Sequence, residues 1–244
     1  MQYLNDKNQI EFTNEDIKKL TLICDKFKKG VALEKLGYYI TLTSDDIWIK
    51  IVTQFCVMGS ALFFERLDNV DGKFKDFCND ISLTSIFKST AQNEYIAGVL
   101  RFYKATRFYN QQANKLYSLL SNQSVIKNGK VVLIDGLSYE QGFDQIRDEL
   151  IKRNPFFKMK SASDFMIGLG FSHDVMALDL RVVGFLNKHL DFNVKVSKVQ
   201  GSPVLYKLLE DSLRLECKKL QVEPAVLDRI IFRNYGKAID DLLI

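Results

Sequence analysis

Two glycines, Gly168 and Gly170, divide the stretch 156–188, FFKMKSASDFMIGLGFSHDVMALDLRVVGFLNK, into two apolar-periodic halves. The period of each half is helical, and glycine is the residue that most readily stops a helix. Within 168–174 the glycines end one helix, and Ser172 and Asp174 are good starters for another. Two helices joined through so short a break must fold back on each other. Lys160 opens the first of them and Asp179 sits near the start of the second, so the turn brings one amine and one carboxylate toward a common place.

The rest of the chain reads the same way. Thr13 or Asn14 caps a run that reaches about Lys29 and stops at Gly30, and Thr43, Ser44, Asp45 and Asp46 cap another that contains Trp48, Val52 and Phe55. From 91 to 120 the apolar residues Ile96, Val99, Leu100, Tyr103, Phe108, Leu116 and Leu119 predict one long helix or two abutting ones. A polar interruption at 121–130 leads to 131–137, an extended segment or buried loop, and Ser138 is expected to cap a helix through Ile151. Asn154-Pro155 breaks that helix just before Phe156, because the residue ahead of a proline is driven out of the helical region. Pro203 and Pro224 mark the starts of two closing helices. With no internal repeat and no low-complexity linker, the expectation is an all-α single domain over 1–244, built as two helical lobes with an interlobe cleft.

A chain of 244 residues with 47% hydrophobic residues has ample material for a core. Cys24, Cys56, Cys78 and Cys217 show no short Cys-x-x-Cys spacing, so neither a zinc site nor an iron–sulfur cluster is expected, and they read as free thiols. His173 and His189 are the only histidines, too few for a histidine-rich metal site, and His173 reads as a polar loop residue. No cofactor and no metal are therefore expected. No stretch approaches the roughly 18 apolar residues of a membrane span and the first residues lack a signal-peptide pattern, so the expected location is cytoplasmic, with no membrane partner. The net charge of +4 is compatible with a polyanion without requiring one. Lys152, Arg153, Lys158 and Lys160 cluster ahead of the glycine break, and Lys188, Lys195 and Lys198 follow it. They form either a phosphate-binding face that reads no sequence or an ordinary solvated surface.

Two readings of Lys160 and Asp179 stand side by side. In one, the lysine is a nucleophile and the aspartate stabilises positive charge. An amine near its ordinary pKa of about 10.4 is protonated at neutral pH, so burial or cations such as Lys158 and Arg181 must lower it. In the other, Lys160 is one more solvated lysine and Asp179 simply caps or flanks a helix.

Three short motifs, in order and with matching separations, weigh on that choice. Lys160-Ser161-Ala162-Ser163-Asp164-Phe165 resembles Lys-x-Ala-Ser-x-Phe, Gly168-Leu169-Gly170-Phe171 resembles Asn-x-Gly-Tyr, and Val175-Met176-Ala177-Leu178-Asp179 resembles Val-Ala-x-x-Asp. These are motifs of the helix-hairpin-helix base-excision DNA glycosylases, in particular the short bacterial and archaeal form of the 8-oxoguanine DNA glycosylase/lyases. Fainter likeness lies in the helix at 48–61, in Arg101-Phe102-Tyr103-Lys104-Ala105, and in Glu223-Pro224-Ala225-Val226-Leu227-Asp228 followed by Gly236. The resemblance implies a helix-hairpin-helix at about 145–188, Lys160 as nucleophile, Asp179 as its essential carboxylate and double-stranded DNA carrying a damaged base as partner, bound by a monomer.

It also implies that Phe157, Lys158, Ser161 and Arg181 lie against DNA. Gln54 would fill the gap left by a flipped base, against the alternative of a helix-interior glutamine facing solvent, and Phe171, Phe185 and the aromatics of 102–109 would stack on that base, where they are not simply core. Two features depart from the pattern. The family's Gly-x-Gly-x-Lys hairpin is replaced by Phe156-Phe157-Lys158-Met159-Lys160, which removes the close backbone approach to phosphate and cation and leaves Lys158 to supply a side-chain contact. Leu180-Arg181 stands where Arg-His or Thr-His is usual. The expected activity is excision of an oxidised purine followed by strand cleavage. The alternatives are a monofunctional glycosylase for another damaged base, or a DNA-binding protein that kept the frame without the chemistry.

Overall fold

The computed structural model describes residues 10–57, 61–69 and 72–243, the side chains of 68 and 69 excepted. Among them the helices run α1 (Asn14–Phe27), α2 (Ser44–Cys56), α3 (Leu62–Asn69), α4 (Phe74–Asp80), α5 (Leu83–Ile86), α6 (Gln92–Phe102) and α7 (Tyr109–Leu120). They continue as α8 (Phe143–Arg153), α9 (Met159–Leu169), α10 (Leu180–His189), α11 (Val196–Gly201), α12 (Pro203–Lys219), α13 (Pro224–Asn234) and α14 (Lys237–Leu243). A two-stranded hairpin, β1 (Ile126–Lys127) with β2 (Lys130–Val131), interrupts them. The fold is all-α. Among the described residues no helix is long and apolar enough to cross a membrane.

The chain divides into two compact units. One comprises Gly37–Gln141 and Asp148–Phe157, the other Met1–Leu36, Gly142–Arg147 and Lys158–Ile244. In the first, α2 is the central helix. Thr43 and Asp46 close its N-terminus as a capping box, and Trp48, Ile51, Val52 and Phe55 are wholly buried. The indole of Trp48 meets its one polar need by donating to the Ile81 carbonyl at 2.9 Å.

The 91–120 stretch forms two helices. Lys104 takes a left-handed φ of 51°, the chain reverses, and α6 packs on α7 with Asn93 donating to Asn114 at 2.9 Å. The β-hairpin lies where only a polar interruption was expected. Its signal was the pair Asn128-Gly129, whose φ values of 52° and 73° suit the tight turn that matches strand twist. Ser138 does not cap a helix. Its hydroxyl accepts from the Glu140 amide in a local turn, and α8 begins only at Phe143.

In the second unit, Thr13 caps α1 in the same manner as Thr43 caps α2. Pro203 and Pro224 occupy the first turns of α12 and α13, where a missing N–H costs nothing. Arg147, fully buried, donates to Glu210 at 2.7 Å, to Ser163 at 3.0 Å and to Asp144 at 2.6 Å. It thereby joins α8 to α9 and α12. The glycine break is simpler than expected: Gly168 lies inside α9, and Gly170 alone, at φ 70°, ends it. Ser172 and Asp174 start no helix, because 171–179 runs irregularly until Asp179 itself caps α10.

Candidate active site

Lys160 is the second residue of α9. The helix opens with the Lys158 amide donating to Ser161 Oγ at 2.9 Å and the Ala162 amide bonding back to the Lys158 carbonyl at 2.9 Å. Ser161 therefore spends its hydroxyl on the helix terminus, which fixes the direction in which Lys160 leaves the first turn. One turn on, Asp164 stands 3.5 Å from the Lys160 ammonium, with both side chains largely enclosed. The opposite charges at this spacing share one helix face.

The placement of Asp179 depends on how buried, irregular backbone is satisfied. Residues 176–178 have no ladder partner, and buried amides must find acceptors. The Met176 amide donates to Glu210 at 2.9 Å and the Ala177 amide to Asp228 at 2.7 Å. The Leu178 amide donates to the Tyr206 hydroxyl at 3.1 Å, while that hydroxyl donates to the Met176 carbonyl at 2.7 Å. Three side chains from α12 and α13 thus hold the strand-like approach to α10. Asp179 then accepts from the amides of Arg181 and Val182, each at 2.9 Å, so its carboxylate is fixed at the positive end of the α10 dipole.

The capping reading of Asp179 is correct, and it does not exhaust the residue. Burial pushes its carboxyl upward, the Val182 amide and the Lys160 charge draw it back, and the Asp164 carboxylate adds to the rise. Lys160 and Asp179 are therefore within electrostatic reach of each other. The surrounding ions come from further along the chain. Arg229 of α13 donates to Asp164 at 2.7 Å and to the neighbouring Asp228 at 3.1 Å. Asp228 is fully buried, which pushes its carboxyl up to about 7 against the opposing pull of Arg229, with Asp164 and Asp179 reinforcing the rise. Asp164 carried a legible signal, a charge one turn from Lys160. Arg229 carried none, because 65 residues of chain separate it from Asp164.

The remaining candidates divide by exposure. Lys158 is exposed at the head of α9. Arg181 turns toward α13, where its guanidinium donates to the Phe232 carbonyl at 2.7 Å and lies 4.2 Å from the Phe232 ring. Phe157, 2% exposed, and Ser161, 8% exposed, are inside, contrary to an expectation of DNA contact. An apolar ring beside a helix start is worth more in the core than in water, and the Ser161 hydroxyl is already engaged. Gln54 at 6% exposure is buried in α2, so it presents to solvent neither a filler nor an idle amide. Phe171 and Phe185 are core as well, at 1% and 0%, whereas Phe102 is 74% exposed.

Among the basic cluster, Arg153 is committed to the carbonyls of Leu133 and Asp135 and Lys188 to Asp240 at 2.6 Å, while Lys195 and Lys198 are exposed. His173 ties its loop to Glu223 at 3.0 Å and to the Glu34 carbonyl at 2.9 Å. Cys24, Cys56 and Cys217 are buried free thiols and Cys78 is half-buried. Among the described residues no three His, Cys, Asp or Glu side chains converge as metal ligands.

No family model and no curated protein sequence matches the chain. Among solved structures the fold is shared with the 8-oxoguanine DNA glycosylase of Methanocaldococcus jannaschii, at a TM-score of 0.64 and 16% identity over 88% of this chain and 91% of that one.

Proposed function

We propose that the protein is a DNA glycosylase with associated lyase activity, acting on an oxidised purine such as 8-oxoguanine in duplex DNA. The observation that carries this reading is that the Lys160 amine and the Asp179 carboxylate lie within electrostatic reach of each other, on successive helices of a fold shared with an 8-oxoguanine DNA glycosylase. The glycosidic bond breaks with positive charge developing on the sugar, which a fixed carboxylate at Asp179 stabilises. The neutral amine of Lys160 bonds to C1′ as the bond to the purine nitrogen breaks, and the purine leaves with that electron pair and takes up a proton. Opening of the sugar ring, with the amine proton passing to the ring oxygen, gives an iminium. Loss of the C2′ proton then expels the 3′ phosphate.

Because the base is hidden in a stacked duplex, the nucleotide must be extruded first. Lys158, exposed at the start of α9, is suited to hold a phosphate beside it, in place of the close backbone approach that a glycine hairpin allows. In this reading the protein works as a monomer on chromosomal DNA in the cytoplasm, without a metal or cofactor.

The test is borohydride trapping on a labelled duplex containing one 8-oxoguanine, beside an undamaged duplex. Native protein should give a covalent band with damaged DNA only. Lys160→Gln should lose both the band and strand cleavage while duplex binding stays nearly intact, and cleavage persisting in that variant would sink the assignment. Asp179→Asn keeps a good helix cap, since asparagine caps as well as aspartate, so it should slow base release while leaving binding and stability close to native. Base release without a trapped adduct points to a monofunctional enzyme, and binding without release to a protein that kept only the frame.

A further inference from the structure

The arrangement around Asp164 has no place in the steps above. Lys160 and Asp164 are an opposite-charge pair one helical turn apart on α9. Asp164 gives its short contact, 2.7 Å, to Arg229 through Oδ1, and leaves Oδ2 3.5 Å from the Lys160 ammonium. Arg229 is fixed in turn, because its second nitrogen meets Asp228 at 3.1 Å, and Asp228 is anchored by the Ala177 amide two residues before Asp179. Asp164 on its own helix and Asp179 at the cap of α10 act on Lys160, and Arg229 and Asp228 on α13 act on those two carboxylates.

We propose that Arg229 is the positioning residue of the site: by clamping Asp164 it aims the Lys160 side chain and keeps that carboxylate from locking the lysine as a closed ion pair. The proposal rests on the reading of Lys160 as nucleophile. An aspartate close to a lysine favours the ammonium, which cannot attack, while a guanidinium bound to that same aspartate opposes it. The clamp therefore lets an anion steer the amine with a cation set against its charge. It also couples the lysine to the aspartate, since one chain of contacts runs from Asp164 through Arg229 and Asp228 to the backbone that carries Asp179.

The experiment reads Lys160 directly and needs no DNA: reductive methylation of the intact protein across a pH series, with Lys160 modification followed by peptide mass. Asp164→Asn removes the anion and should move half-maximal modification of Lys160 down by about one pH unit. Arg229→Gln leaves the anion uncompensated and should move it up by a similar amount. The double variant loses both opposing charges and should lie between the two single variants. An Arg229→Gln profile superimposed on native, or a double variant no different from Arg229→Gln, overturns the proposal. Should Arg229→Gln fail to fold for want of a partner to Asp228, Asp164→Asn decides alone, and an unshifted profile overturns the clamp.

Borohydride trapping of the same variants on the 8-oxoguanine duplex separates this proposal from the one it rests on. The pH for half-maximal adduct should move with the modification profile. Shifts in methylation with no adduct from native protein sink the glycosylase/lyase reading and leave the clamp standing.

Discussion

Asp228 shows how far a single residue can set the terms for its surroundings. Fully buried, it accepts from the Ala177 amide and from Arg229, and burial pushes its carboxyl to about 7. In the unfolded chain the same group returns to about 3.9. Between those values the folded protein holds a proton that the unfolded chain releases, so the contribution of Asp228 to stability is full below about pH 4 and is lost as pH rises through about 7. At 1.36 kcal/mol per unit the swing is roughly 4 kcal/mol. Asp228→Asn abolishes that titration, so its unfolding free energy, measured in urea from about pH 4 to pH 8, should fall less steeply with pH than that of the native protein. Equal slopes would show that Asp228 is ionised throughout the range. Glu210, also raised by burial, acts in the same sense in both proteins and cancels from the comparison.

At the scale of the element, Gly168 and Gly170 look alike in the sequence and do opposite things. Gly168 is helical, and a methyl group added there would meet nothing within 4 Å. Gly170 has φ 70° and ends α9. Gly168→Ala should therefore raise stability by about 0.5–1 kcal/mol through helix propensity, whereas Gly170→Ala should lower it by about 1–2 kcal/mol through a left-handed backbone. Thermal or urea unfolding of the two single variants reads both signs, and a matching sign would put the end of α9 elsewhere. What sequence alone could resolve follows the same division. The helices with a capping box or a proline start, α1, α2, α12 and α13, were legible because their signals lie within a turn of the boundary. That Lys160 and Asp179 would come within electrostatic reach was legible because a local motif spans both. Ser138 misled because a hydroxyl that closes a turn has the same sequence signature as one that caps a helix. The burial of Gln54 and the clamp at Arg229 were invisible because each depends on which distant face a helix meets.

At the scale of the molecule, the unit that carries the site is assembled from three separated pieces of chain, and the shortest of them, Gly142–Arg147, contributes Arg147. Its guanidinium is wholly buried against Glu210, and Glu210 in turn receives the Met176 amide that begins the approach to Asp179. Two enclosed charges gain little over a well-packed apolar pair, yet removing one partner strands the other. Arg147→Met should accordingly cost about 3–5 kcal/mol, because Glu210 must then either carry an unpaired charge or take up a proton in the core. Arg147→Met combined with Glu210→Gln removes that charge while keeping an acceptor for Met176, so the double variant should recover much of the loss. Urea unfolding of the native, single and double proteins closes the cycle. Additive losses would show that the pair is not coupled, while recovery would show that the ion pair joins the Gly142–Arg147 segment to the backbone on which the candidate active site is built.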